Sequence, residues 1–154
     1  MENADTATID ALVAALYDTL SGPAGPRDWD RERRLFARGA ILVSAGPVVN
    51  ELKRGPAFMD LEGFISSRAP YFASNDFYEK ETARQTFRFG NIVHVLSAYE
   101  ARRHPGDPKP LWRGINSIQL FHDGDRWWLV SIVWDNERPD NPLPAWTAGA
   151  SPAA

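Results

Sequence analysis

Apolar positions Ile9, Leu12, Val13, Leu16, Tyr17 and Leu20 recur at intervals of three and four, forming one stripe of an amphipathic helix. Thr6 or Thr8 is placed to cap it. SGPAGP (21–26), with two glycines and two prolines, ends it. A second helix is predicted from about Asp28. Acidic Asp28, Asp30 and Glu32 come early and Arg33, Arg34 and Arg38 late, as the helix dipole prefers, with Gly39 as the stop. Trp29 and Phe36, seven apart, would share its buried side. ILVSA (41–45) reads as a short buried strand, followed by a Gly/Pro-punctuated excursion through Pro56. Asp60 can cap a third helix with Leu61, Phe64, Ile65, Arg68 and Phe72 at helical spacing, and Pro70 is expected to kink or split it.

From Phe77 the texture changes to long strands. FYEKETARQTFRFG, NIVHVLSAYEARR, WRGINSIQLFH and RWWLVSIVWDNE are separated by turn signals, of which Asp123-Gly124 is the strongest hairpin mark. Helices first and an antiparallel meander after is an α+β architecture, with three N-terminal helices packed on the concave face of a strongly curved, mostly antiparallel sheet. Residues 1–144 read as one domain and 145–154 as a flexible Pro/Ala-rich tail that Trp146 could anchor.

The last strand breaks the expected alternation. In DGDRWWLVSIVWDNE (123–137), Trp127, Leu129 and Val133 fall on one side and Trp128, Val130, Ile132 and Trp134 on the other, so both faces need cover. A two-residue turn at Asp123-Gly124 pairs Leu120 with Trp127, Ile118 with Leu129 and Asn116 with Ser131. One face then runs from apolar near the hairpin to polar at Asn116, Ser131 and Asp135, as a pocket wall would. The other presents Trp128, Ile132 and Trp134, an apolar patch that a monomer rarely leaves in water. A three-residue bulged turn would shift the register by one and exchange the faces.

Composition narrows the function classes. The chain has 154 residues, 44% hydrophobic and 24% charged, and a formal charge of −3, which gives no electrostatic footprint for nucleic acid or anionic membrane. There is no Cys, so disulfides and thiolate chemistry are excluded. The acidic, polar start MENADTATID lacks the pattern of a signal peptide, and a cytoplasmic location is the expectation. No Gly-rich phosphate loop and no HxH, HxxxH or HExxH grouping supports a nucleotide or metal cofactor. The Arg residues of RERRLFAR, interleaved with Asp28, Asp30 and Glu32, read as a solvated helix face.

The order of elements, with SGPAGPRDWDRERRLFARGA, FYEKE, FGNIVHVLSAYEARR and RGINSIQLFHDGDRWWLVSIVWDNERPDNPLP, resembles the nuclear transport factor two-like (SnoaL-like) superfamily, in an uncharacterised bacterial branch. The resemblance covers about residues 9–144 and implies a cone-shaped fold. It is the fold of SnoaL-like polyketide cyclases, ketosteroid isomerase, scytalone dehydratase and limonene epoxide hydrolase, which share no single catalytic set, and fold does not fix function. Scytalone dehydratase depends on a His pair, whereas the three His here lie far apart in sequence. Tyr17 is placed like the first-helix Tyr of ketosteroid isomerases, and Asp135 with Arg113 supplies two parts of the Asp–Arg–Asp set of limonene epoxide hydrolase.

The candidate site follows. Asp135, after an apolar run, would act as a desolvated general acid or base, or else end the strand in solvent. His94 in NIVHVL is a catalytic base or a satisfied core or interface residue. The Tyr17 hydroxyl reaches the pocket or a local partner. Trp29, Phe36, Phe64, Phe72 and Trp127 would line the cavity, with Asn116 and Ser131 as polar contacts. Two functions fit: a cofactor-independent lyase, isomerase or hydrolase acting on an apolar or cyclic small molecule, and a non-catalytic ligand-binding or dimerisation domain. An enzyme needs an enclosed cavity with at least two convergent titratable groups. No nucleic acid or membrane partner is expected. A homodimer through Trp128, Ile132 and Trp134 on the convex face is.

Overall fold

A computed structural model describes residues 4–47 and 56–148. Three helices, α1 (Ile9–Leu20), α2 (Trp29–Leu35) and α3 (Leu61–Ser74), precede or interrupt six strands: β1 (Phe36–Ser44), β2 (Ala57–Asp60), β3 (Tyr78–Phe89), β4 (Ile92–Arg102), β5 (Trp112–His122) and β6 (Trp127–Asn136). Each helix starts where a side-chain cap is available. Thr8, Asp28 and Asp60 accept from the backbone N–H groups of Ala11, Arg31 and Gly63. The third helix is not split at Pro70. The second is shorter than its charge pattern predicts: Phe36 already belongs to a strand, and Gly39, at φ +80°, sits inside that strand. The strand at Ala57–Asp60 has no counterpart in the sequence reading; most of the excursion before it (48–55) and the end of the tail (149–154) lie outside the described residues.

The strands form one curled, open sheet in the order β2-β1-β6-β5-β4-β3, antiparallel except for the β1–β6 pair. The core lies between its concave face and the helices. Leu12 and Leu16 of α1 and Phe64 and Ile65 of α3 pack on Val93, Val95, Ile118, Leu120, Leu129 and Ile132. No helix among the described residues is long and apolar enough to cross a membrane.

The β5–β6 hairpin explains the double-sided strand. Its loop is four residues, 123–126, closed by the Asp123 carboxylate, which accepts from the N–H groups of Asp125 and Arg126 at 2.8 Å each. His122 therefore pairs with Trp127 and Leu120 with Leu129, two residues away from the register of a two-residue turn. A shift of two preserves faces. One residue further on the faces are exchanged, because Gln119 pairs with Ser131 and Val130 is an extra residue, a β-bulge. Before the bulge Trp127 and Leu129 point inward; after it Ile132 and Trp134 do, while Val130 (37% exposed) and Val133 (38% exposed) point out. The inward placement expected for Ser131 and Val133 and the outward placement expected for Ile132 and Trp134 are thus reversed. β1 is irregular at the same level, between Phe36 and Ile41.

A second bulge, at Thr82 between Glu81 and Ala83 in β3, has a similar effect. Residues three apart on a regular strand face opposite ways. Here Glu81 and Arg84 turn to the same side and form an ion pair at 2.8 Å, from which Arg84 also reaches Asp10 on α1. That pairing ties the first helix to the sheet.

Close approach fixes one glycine. A Cβ on Gly114 would lie 2.5 Å from the Asp135 carbonyl oxygen and against the Tyr99 hydroxyl. Gly114→Ala is expected to destabilise the fold by about 1–3 kcal/mol, the usual cost of overpacking. Urea titration of the two proteins checks this, and an unchanged midpoint would refute it.

Candidate functional site

Between the concave sheet and the helices lies a cavity of about 500 Å³, within the range of small-molecule sites. Its walls are aromatic and aliphatic: Phe64, Tyr71 and Phe72 from α3, Phe77 and Trp112 at one end of the sheet, and Trp134 from β6. The rings pack on one another, with centroids 5.1 Å apart for Phe72–Phe77, 5.8 Å for Phe77–Trp112 and 6.0 Å for Phe64–Trp134. Arg68 lies over Phe64 and Trp134, and Asp135, Glu137 and Arg138 stand at the rim.

Two carboxyl groups enter this apolar lining, Glu32 from α2 and Glu79 from β3. Glu32 is fully buried, so the reading of its helix face as solvated is corrected at this position. Arg31 and Arg33, by contrast, are ion-paired at the surface with Asp5, Asp18, Asp30 and Glu62. Burial pushes the Glu32 carboxyl up to about 7, partly offset by the Thr19 hydroxyl beside it. Thr19 Oγ1 stands within hydrogen-bonding distance of both Glu32 Oε2 and the Leu16 carbonyl. One hydroxyl proton serves both contacts well only when Glu32 is protonated, so that the carboxyl donates to Thr19 and Thr19 donates to Leu16. Glu32 Oε1 has no partner. Glu79 is pushed up to about 8, by burial first and then by the charge of Glu32. Among the described residues neither group has an ion-pair partner.

Behind the carboxyls runs a hydrogen-bonded chain. Ser97 donates to Glu81, so the Tyr17 hydroxyl donates to Ser97 Oγ at 2.7 Å and accepts from Asn116 Nδ2 at 3.0 Å. Both its proton and a lone pair are committed inside the protein, and burial pushes the phenol well above its ordinary value. Tyr99, also raised by burial, donates to Asn136 Oδ1 at 2.5 Å.

The residues proposed from sequence divide accordingly. Phe64, Phe72, Asn116 and Asp135 line the cavity. Asp135 does so at the rim, where it is 34% exposed and bound to Arg138 at 2.6 Å, while Arg113 pairs with Glu137 instead of Asp135. Trp29 stacks against Phe72 at 6.1 Å, and Phe36 and Trp127 belong to the core. Tyr17 is one layer back. Ser131 and His94 sit on the outer side of the sheet; His94 bonds Ser117 at 2.9 Å and stacks on Phe87. Among the described residues no cluster of three or more His, Cys, Asp or Glu is arranged for a metal. Sequence reasoning missed Glu32 and Glu79. The signal for Glu32 was present, since it lies three residues after Trp29 and four before Phe36, on their face of the helix. Glu79 gave none beyond alternation within FYEKE.

The raised carboxyls make stability depend on pH. The folded chain holds protons on Glu32 and Glu79 that the unfolded chain has released, so stability is full below about pH 4.5 and declines as pH rises toward about 8. Glu32→Gln removes the part of that loss that Glu32 contributes. Its melting temperature should match the parent near pH 5 and exceed it at pH 8.5, where the gain in stability is at most about 3 kcal/mol at 1.36 kcal/mol per pH unit. Melting curves across this range check it; parallel curves for the two proteins would refute it.

No family model matches the chain, and no curated protein matches it. Solved structures do. A protein of unknown function with a cystatin-like fold from Nostoc punctiforme aligns with TM-score 0.64 at 14% identity, covering 88% of this chain and 92% of that one. An NTF-2-like protein of unknown function from Silicibacter pomeroyi gives 0.56 at 19%, covering 84% and 92%. A hypothetical protein with a ketosteroid isomerase-like fold from Catenulispora acidiphila, in complex with trimethylamine, gives 0.52 at 19%, covering 91% and 94%. The chain therefore has the nuclear transport factor two-like α+β fold, three helices on a curled six-stranded sheet.

Proposed function

We propose that the chain is a cofactor-independent enzyme, a lyase, isomerase or hydrolase acting on an apolar or cyclic small molecule, with Glu32 and Glu79 as its acid–base pair. The observation that carries this reading is two carboxyls, the buried Glu32 and the partly buried Glu79, facing one apolar cavity with no basic partner among the described residues. Two such groups that feel one another lose their protons in separate steps. Near neutral pH one is a carboxylate and the other a carboxylic acid. The first can take a proton from a carbon or hydroxyl of the ligand while the second delivers one to a neighbouring atom or a leaving group. Proton count is conserved over the cycle. The aromatic walls exclude water and hold the ligand's body, and Asn116 and the rim groups orient its polar end. Positioned proton transfer contributes about 10²–10⁴-fold. A thermal-shift screen of small metabolites identifies ligands, since a molecule that binds only the native state raises its melting temperature. For a ligand that is turned over, Glu79→Gln should lower kcat by at least about 100-fold with KM changed much less. A ligand bound in the cavity but never converted would favour the non-catalytic alternative.

We also propose that the outer face of the sheet pairs with a second copy of the chain. Ile132 and Trp134 point inward and cannot contribute, so the expected centre moves to Trp128, Phe87 (56% exposed), Val130 and Val133. His94, Ser117 and Gln119 lie on the same face. Each large apolar side chain buried contributes on the order of 1.5–3 kcal/mol, and several on two subunits can offset an association cost of about 4–15 kcal/mol. The parent should sediment as a dimer at micromolar concentration and Val133→Glu as a folded monomer. A monomeric parent would end this reading.

A further inference from the structure

We propose that the cavity is built for a positively charged ligand, a small organic cation such as an ammonium or amidinium on an aromatic or alicyclic body, whose charged end meets Glu79 and Glu32. The inference rests on the pocket reading above and adds the charge of what enters it.

Three observations on the site point the same way. First, Glu79 and Glu32 are the acidic groups set deep in the aromatic lining, and no Arg or Lys among the described residues pairs with either. Other carboxylates nearby are spoken for: Glu81 by Arg84, Glu137 by Arg113 and Asp135 by Arg138. Second, Glu32 Oε1 is fully buried and has no hydrogen-bond partner, an orphan that native proteins seldom keep without a use. Third, the surrounding wall of Tyr71, Phe72, Phe77, Trp112 and Trp134 presents ring faces and edges, and ring faces attract cations most strongly where water is excluded. An anion would meet like charge at the inner end. A neutral ligand would leave both carboxyls desolvated and unpaired, the costly arrangement.

Binding of a cation then draws a carboxyl into its ionised form and releases a proton. The groups facing the pair do not blur this. Tyr17 from α1 and Tyr99 from β4 are raised above the range, and Asp135 holds the Arg138 guanidinium at the rim in its charged form. Affinity for a permanently charged probe should therefore rise with pH between about 6 and 8.5.

Benzamidinium, benzamide and benzoate share one shape and differ in charge, so calorimetric titration of the intact chain with each isolates the charge preference. At about pH 8.5 benzamidinium should bind at least about tenfold tighter than benzamide, with benzoate weakest. The advantage should shrink at about pH 6, and titrations in buffers of different ionisation heat should show protons released. Glu79→Gln keeps the side chain's shape and should abolish the preference while leaving benzamide binding within about threefold. Glu62→Gln, a surface carboxylate paired with Arg33 outside the cavity, should leave the preference in place. Equal binding of benzamide and benzamidinium, or a preference that survives Glu79→Gln, overturns the cation assignment and leaves the pocket standing. Failure of all three probes to bind overturns both.

Discussion

Everything notable in this chain depends on where the period of two along a strand is kept and where it is broken. A strand assigns alternate residues to alternate faces, and a sheet with helices on one side turns that assignment into inside and outside. Val130 interrupts the rule in β6 and Thr82 in β3. The first interruption sends Ile132 and Trp134 into the cavity. The second brings Glu81 and Arg84 to one side, where their ion pair anchors α1 and accepts the hydrogen bond from Ser97. The cavity's shape and its polar backing are thus set by two extra residues.

Most of the fold was legible because its signals are local. The stripe from Ile9 to Leu20, the Asp60 cap and the four long strands are patterns of neighbouring residues, and they reappear with small boundary changes. The site was harder to read. Near the hairpin, Asn116, Ile118, Leu120, Trp127 and Leu129 point inward as their alternation requires. Beyond Val130 alternation was a false guide, since a bulge is set by the bend of the whole sheet and by the irregular β1 beside it, not by a local sequence mark. Glu32 was obscured differently. Its acidic neighbours Asp28 and Asp30 face water, and charge pattern was allowed to outweigh its spacing from Trp29 and Phe36.

The two carboxyls also show what the fold gives up. A leucine or methionine at either position would fill apolar space without the desolvation that Glu32 and Glu79 suffer. Proteins commonly carry groups that cost stability where activity or binding requires them. The well-paired carboxylates elsewhere make the contrast sharp. Asp123, bonded to Trp128 and two backbone N–H groups, is drawn down to about 2, while the cavity pair is driven the opposite way.

The bulge at Val130 has a consequence for how such a pocket can change over descent. Loss of that one residue would restore strict alternation beyond it and exchange every later side chain of β6 between the two faces. Ser131 and Val133 would turn toward the cavity, and Ile132 and Trp134 toward the outside. A point substitution alters one group in a wall; a one-codon deletion here would replace the wall. Chains of this fold that differ by a single residue in the last strand can therefore present unlike interiors while keeping their helices, strand order and core.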